Sequence, residues 1–360
     1  MPSHPRSTTT GTRRLFGAHQ SIAGGPAQAV ERAVETGCEC LQVFTRNINR
    51  WDNPPLDPGA AAAFRTAVAA AGLGLVVAHD SYLINPAAAD DALRDRSLDA
   101  LVDELERAEL LGIPWVVAHP GAATGQEADV AVRRAADGFV AALQRTRPLR
   151  AGVLVETTAG QGSCLGARFE EIGAIIARAD DAGLGRRIGV CLDTCHVFAA
   201  GYPLAPAAAL DATLAEFDRL VSLDRLVVIH ANDSKKPLGS RVDRHEAIGA
   251  GAIGAEAFQL LLHHPGLQGI PWILETPKEG PDGKPSPAID RRNLAMLRAL
   301  AAQPAKGVTQ KPAKGVTQKP AKGVTKPARR TGKAAPRERP APAAEPAKRK
   351  PAQTVRRTRR

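Results

Sequence analysis

Residues 74–79 read GLVVAH and residues 114–119 read PWVVAH. Each is a short apolar run, rich in β-branched residues, that closes on a histidine. Such a run, bounded by turn residues, has the signature of a strand buried on both faces. Between the two lies 90–111, DDALRDRSLDALVDELERAELL, whose spacing predicts a helix. The same unit recurs along the chain, at RLFGAH (14–19), CLQVF (40–44), GVLVET (152–157), IGVCLDT (188–194), DRLVVIHA (224–231) and PWILET (271–276). Helical patterning separates these runs as well, for example over 26–36 and 168–184, and a last helix is expected over about 287–302. Strands that alternate with helices pair in parallel. Eight such units match a (β/α)8 barrel, the TIM barrel. The competing arrangement is an open doubly wound sheet. It is disfavoured because GAHQSIAGG (17–25), after the first run, lacks the Gly-rich phosphate turn of that fold.

The residues at the ends of these runs point to function. Six successive strands, the third to the eighth, end in His79, His119, Glu156, Asp193, His230 and Glu275. A barrel's active site lies at the carboxyl ends of its strands, so all six converge on one mouth. Acids and imidazoles gathered there without partners would be costly to bury, and metal coordination removes that cost. Three further candidates follow: His196, three residues after Asp193 and expected on a loop, and Asp243 with His245 in VDRHE (242–246). Five His, two Asp and two Glu are too many for one or two ions and suit three. Mixed imidazole and carboxylate ligands favour Zn2+ or a similar transition metal over Mg2+ or Ca2+. The segment CLDTCH (191–196) also offers Cys191 and Cys195, as potential thiolate ligands.

Charge divides the chain. Residues 304–360 carry 18 Lys and Arg against two Glu, a net +16. The other residues therefore sum to −5 of the total +11. The C-terminal region repeats PAKGVTQK at 304 and 312 and PAKGVTK at 320. Recurring Pro and Gly with little apolar mass predict a disordered polycation, suited to a non-specific hold on nucleic acid. The expected organisation is a flexible extension over 1–13, a catalytic barrel over 14–303 and the tail over 304–360. Five cysteines in no secreted framework, and no apolar leader, fit reduced thiols in the cytoplasm. No apolar run approaches the length needed to span a membrane.

Seven segments resemble the endonuclease IV family, zinc-dependent apurinic/apyrimidinic endonucleases: AHDSYLIN (78–85), AHPG (118–121), ETTAGQG (156–162), CLDTCHVFAAGY (191–202), HANDSK (230–235), VDRHEAIGAG (242–251) and ILETP (273–277). The match runs in order from about Leu15 to Leu300 and passes through every candidate ligand. The resemblance implies a three-zinc barrel that cuts duplex DNA 5′ to an abasic site, leaving a 3′-hydroxyl and a 5′-deoxyribose phosphate. It implies His79 and His119 on the first zinc, with Glu156 bridging to the second. Asp193, His230 and Glu275 would complete the second, and His196, Asp243 and His245 would hold the third. A zinc-activated water would attack phosphorus, with Glu156 and Glu275 as the catalytic carboxylates. In this scheme the cysteines are not ligands, and Asp193 and His196 serve different ions.

The resemblance also implies a DNA-reading rim. Tyr82 and Leu83 would wedge into the gap left by a flipped abasic nucleotide. The loop after the second strand, TRNINRW (45–51), departs from the family pattern, with Ile48 and Asn49 where a Gln and then an Arg are common. Ile48 is expected to take over the wedge, and Arg46 or Arg50, with the tail 304–360, the phosphate contacts. ETTAGQG departs again at Thr157, where Asn is usual. The expected partner is double-stranded DNA with abasic or damaged sites, bound by a monomer. In a bacterium the protein would associate with the nucleoid. Two other readings compete: a divalent-metal sugar isomerase or epimerase on the same barrel, and a DNA-compaction protein acting through the tail.

Overall fold

The computed structural model describes residues 14–280 and 283–304. The expected extension over 1–13 and the tail from 305 onward lie outside the described residues. In chain order the elements are β1 (Phe16–Gln20), α1 (Pro26–Thr36), β2 (Cys40–Phe44), α2 (Pro58–Ala71), β3 (Leu75–His79), α3 (Asp91–Leu111), β4 (Trp115–Ala118), α4 (Ala128–Arg145), β5 (Gly152–Glu156), α5 (Phe169–Asp181), β6 (Ile188–Asp193), α6 (Thr194–Ala200), α7 (Ala207–Leu220), β7 (Leu226–His230), β8 (Asp233–Ser234), β9 (His245–Glu246), α8 (Gly254–His263), β10 (Trp272–Leu274) and α9 (Pro287–Ala302). Eight strands form a closed parallel barrel in the order β1-β2-β3-β4-β5-β6-β7-β10, and β10 pairs back onto β1 through Phe16–Trp272 and Gly17–Ile273. The expected TIM barrel is therefore the fold.

Local chemistry sets the helix limits. Asp57 and Asp90 cap α2 and α3 by accepting from the amides of Ala60 and Leu93, which satisfies orphan donors at each helix start. Apolar side chains on the outer faces of the strands and inner faces of the helices make the larger core, with Phe64, Phe139, Phe169, Phe217 and Phe258 fully buried.

The inside of the barrel is what positions the site. A strand turns alternate side chains to opposite faces, so residues two apart share a face. Cys40, Val77, Val117, Leu154, Cys191, Val228 and Ile273 form a dry plug, one residue from each of seven strands. The eighth strand contributes Gly17, where an added Cβ would lie 1.8 Å from the Cys40 carbonyl oxygen; the closed barrel leaves no room for a side chain there. Two residues further along the chain from each of these comes the next interior layer: His19, Gln42, His79, His119, Glu156, Asp193, His230 and Glu275, with His119 and Glu275 one residue past the ends of β4 and β10. The six strand-end candidates thus form one layer with His19 and Gln42, directly above the apolar plug.

The other candidates come from two local excursions. His196 lies not on a loop, as expected, but in the first turn of α6. Asp193 accepts from the His196 amide at 2.8 Å and caps that helix, which starts as soon as the strand ends. Asp243 and His245 return over the mouth because Asp233–Ser234 pairs antiparallel with His245–Glu246. The Asp233 carboxylate accepts from the amides of Ser234, Gly249, Gly251 and Ile253 at 2.7–3.1 Å, which holds the following turn in place.

Candidate metal centre

Glu156 is the hub. Its Oε2 lies 3.1 Å from both His79 Nε2 and His119 Nε2, and its Oε1 lies 3.0 Å from His230 Nδ1. Glu275 Oε2 is 3.2 Å from the same His230 nitrogen. The two oxygens of Asp243 reach His245 Nε2 and His196 Nε2, each at 3.2 Å. The nine candidates fall into three groups with mutually close ligand atoms, within 4.8 Å: His79, His119 and Glu156; Glu156, Asp193, His230 and Glu275; His196, Asp243 and His245. Two further groups of this kind pass through Cys191 and Cys195. Burial pushes both thiols up to about 12, so each keeps its proton and is a poor ligand near neutral pH.

The outer nitrogens of the rings decide which inner nitrogens are bare. His79 Nδ1 donates to the Asp80 carbonyl at 2.9 Å, His196 Nδ1 to the Thr157 carbonyl at 2.8 Å and His245 Nδ1 to the Glu275 carbonyl at 3.1 Å. A carbonyl only accepts, so in each neutral ring the proton sits on Nδ1 and the Nε2 lone pair faces inward. His196 Nε2 and His245 Nε2 are buried without a hydrogen-bond partner. Orphaned imidazole lone pairs beside carboxylates fit a set of metal ligands and are costly otherwise.

Electrostatics point the same way. Burial alone would lower the pKa values of His79, His196, His230 and His245. The surrounding carboxylates reverse this for His79, His196 and His245 and hold them above the usual imidazole value, His245 at about 9. Burial alone would raise Glu156, Asp243 and Glu275, yet the imidazoles hold all three well below the usual carboxylate range. The site demands positive charge, and without a cation only protons on its histidines can supply it. His19, by contrast, is driven down to about 3 by burial and stays neutral.

A family profile described as a xylose isomerase-like TIM barrel matches residues 30–300. The probable endonuclease 4 of Geobacter sp. (strain M21) is 45% identical over 286 residues, which span 79% of this chain and 98% of that protein. The crystal structure of endonuclease IV from Thermus thermophilus is 39% identical, with a TM-score of 0.68 over 79% of this chain and 98% of that one. The chain belongs to the endonuclease IV family. It is accordingly a nuclease of the DNA-repair class. A D-tagatose 3-epimerase-like protein also superposes, with a TM-score of 0.60, but at 16% identity it shares the fold alone.

In this endonuclease IV barrel the rim residues differ in their availability. Tyr82 projects from the loop after β3 with 64% of its surface exposed, edge-on to Phe44 and His119. Leu83 and Ile48 are half-buried, and Arg50 is exposed. The Ile48 carbonyl accepts from Ser81 Oγ at 2.7 Å, which ties the loops after β2 and β3 together. Arg46 is not at the rim. Its guanidinium is buried, with Nε 2.7 Å from Glu104 Oε1 and an NH group 3.1 Å from Asp103, so the DNA contact expected of it is closed off. Ion pairing inside the protein takes up the charge that the sequence offers to phosphate. Two residues that bear on the centre escaped the sequence reading. Asn232, two residues beyond His230, donates to Asp193 Oδ2 at 2.6 Å and accepts from the Glu275 amide at 2.8 Å. Gln42 is the other. The only sign of it was a polar residue inside an otherwise apolar strand. Thr157, one of the departures, accepts from the Asp193 amide at 3.0 Å and so supports the site from outside. Among the described residues, no helix is long and apolar enough to cross a membrane.

Proposed function

We propose that the protein hydrolyses the phosphodiester bond 5′ to an abasic site in duplex DNA, leaving a 3′-hydroxyl and a 5′-deoxyribose phosphate, with three Zn2+ ions as cofactors. The observation that carries this is the gathering of nine side chains at one barrel mouth in three groups, with imidazole lone pairs turned inward and no carbonyl or amide to meet them. His79, His119 and Glu156 would hold one ion, Glu156, Asp193, His230 and Glu275 a second, and His196, Asp243 and His245 a third. Zinc bound there supplies Lewis-acid chemistry, lowering the pKa of water and neutralising the charge that builds on phosphate oxygens.

The protein's own groups do the rest. Glu156 is shared by two ligand groups and sets their separation. Glu275 is the less buried carboxylate of its group and is ionised, so it can accept a hydrogen bond from the attacking water and orient it in line with phosphorus. Tyr82, Leu83 and Ile48 would fill the space of the missing base, where flipping costs least because nothing is paired or stacked. Arg50 and the basic region 304–360 would hold phosphates, with Arg46 bracing the loop from behind. The catalytic unit is 14–303.

The test is nicking of a duplex with a single abasic site. Zinc-loaded protein should cut it on the 5′ side, EDTA should abolish cutting, and added Zn2+ should restore it. An intact duplex with fully loaded protein would end this reading, whereas epimerisation of a ketohexose by the same sample would favour the sugar-enzyme alternative.

A further inference from the structure

We infer that Gln42 is the positioning residue of the candidate centre: its side-chain amide fixes which nitrogen of His230 faces the ligand group and ties that ring to Glu275. The inference rests on the reading of the mouth as a metal centre. Gln42 lies in the interior layer at the place where six other strands present candidate ligands, and it is fully buried. Its Nε2 donates to Glu275 Oε1 at 2.5 Å and to His19 Nδ1 at 3.0 Å, and its Oε1 stands 2.7 Å from His230 Nε2.

These contacts allow one arrangement. The amide nitrogen faces Glu275 and His19, and the amide oxygen faces His230. An amide oxygen cannot donate, so in the neutral ring the proton of His230 sits on Nε2. Its Nδ1 is then bare and points at Glu156 and Glu275, 3.0 and 3.2 Å away. Both amide protons and one lone pair of the oxygen are used, so a flipped amide would turn its oxygen onto the Glu275 carboxylate.

His230 differs here from the other inward-facing rings. His79, His196 and His245 have their tautomers set by backbone carbonyls, which no substitution removes. His230 is held by a side chain from β2, across the barrel interior. Replacing Gln42 therefore acts on one candidate ligand ring and the one ligand carboxylate bonded to it, and frees His19, which is not in the ligand set. Partners of this kind beyond the ligands typically govern metal affinity by about 10–100-fold.

The experiment uses the full-length protein as wild type, Gln42→Leu, Gln42→Met, Gln42→Glu and His230→Ala. Each is stripped of metal and titrated with zinc chloride against a competing chelator. Long-range 1H–15N spectra report the protonated nitrogen of each imidazole. Gln42→Leu is expected to weaken one zinc of the set by about 10–100-fold, leave the others unchanged and shift His230 away from the Nε2–H form. Gln42→Met, nearly the shape of glutamine but without a strong acceptor, decides the matter if leucine disturbs folding. Gln42→Glu keeps an acceptor for His230 and is expected to retain its Nε2–H form. The inference is overturned if Leu and Met variants keep His230 as Nε2–H with wild-type zinc affinity, or if they weaken every ion equally. If His230→Ala itself keeps every zinc, the reading of the metal centre fails instead, and Gln42 is not at issue.

Discussion

Glu104→Ala probes how the rim of the barrel is braced. Glu104 lies on α3, and its carboxylate accepts from Arg46 Nε at 2.7 Å and from the Thr45 hydroxyl. Side-chain exposure is 3% for Arg46 and 1% for Glu104, so water cannot replace either partner. In Glu104→Ala the guanidinium stays buried with only Asp103, a half-exposed carboxylate at 3.1 Å, to balance it. Breaking a buried pair from one side costs about 3–5 kcal/mol. Unfolding entropy of about 2.1 cal/mol/K per residue, over a body of roughly 290 residues, comes to about 0.6 kcal/mol/K. The expected fall in Tm is therefore about 5–8 °C. Arg46→Leu combined with Glu104→Leu removes both charges and should recover most of that loss, because an apolar pair of similar volume carries no desolvation penalty. Thermal unfolding by circular dichroism, run as a double-mutant cycle, measures both quantities. The same single variant should raise KM for an abasic duplex more than it lowers kcat, because Arg46 braces the loop that carries Ile48 and Arg50 and touches no candidate ligand. A fall of less than about 2 °C, or a double variant no more stable than Glu104→Ala, would refute the reasoning.

Three other predictions follow from the site. Glu275→Gln should lower turnover on an abasic duplex by about 10²–10⁴-fold while changing its Kd only a few-fold, as measured by single-turnover nicking and fluorescence anisotropy; near-normal turnover removes Glu275 from the reaction. Asp193→Asn keeps an acceptor for the α6 cap, so metal analysis should find an ion lost from the Glu156–Glu275 group alone, whereas His196→Ala should empty the Asp243 group. Identical losses in the two variants would argue against separate ions. In metal-free protein His245 has its pKa raised from 6.5 to about 9, so its contribution to stability is complete below pH 6.5 and is lost as pH rises through about 9. Zinc must displace that proton, so zinc affinity should climb over the same window. Tm of chelated protein between about pH 6 and 10, with His245→Gln as the control, checks the sign; a flat profile in the wild type counts against it.

Much of this molecule was decided by local sequence. Alternation of buried strands and helices selects the barrel, and a side-chain period of two stacks each metal-capable residue above an apolar one, as with His79 above Val77 or Glu156 above Leu154. Both features depend only on neighbours along the chain, so the layer of six strand-end candidates is legible in the sequence. What only the tertiary structure decided depends on partners far away in sequence. Arg46 reads as a free cation until Glu104, 58 residues on, closes over it. The tautomer of His230 is set by Gln42, 188 residues earlier, because the closed barrel brings β2 across from β7. His196 sits on a helix and not a loop because the Asp193 carboxylate, expected only as a ligand, also caps α6. The chain's own periodicity placed the ligand candidates at one mouth. Closure of the barrel determined which nitrogens they turn inward and which charges remain for DNA.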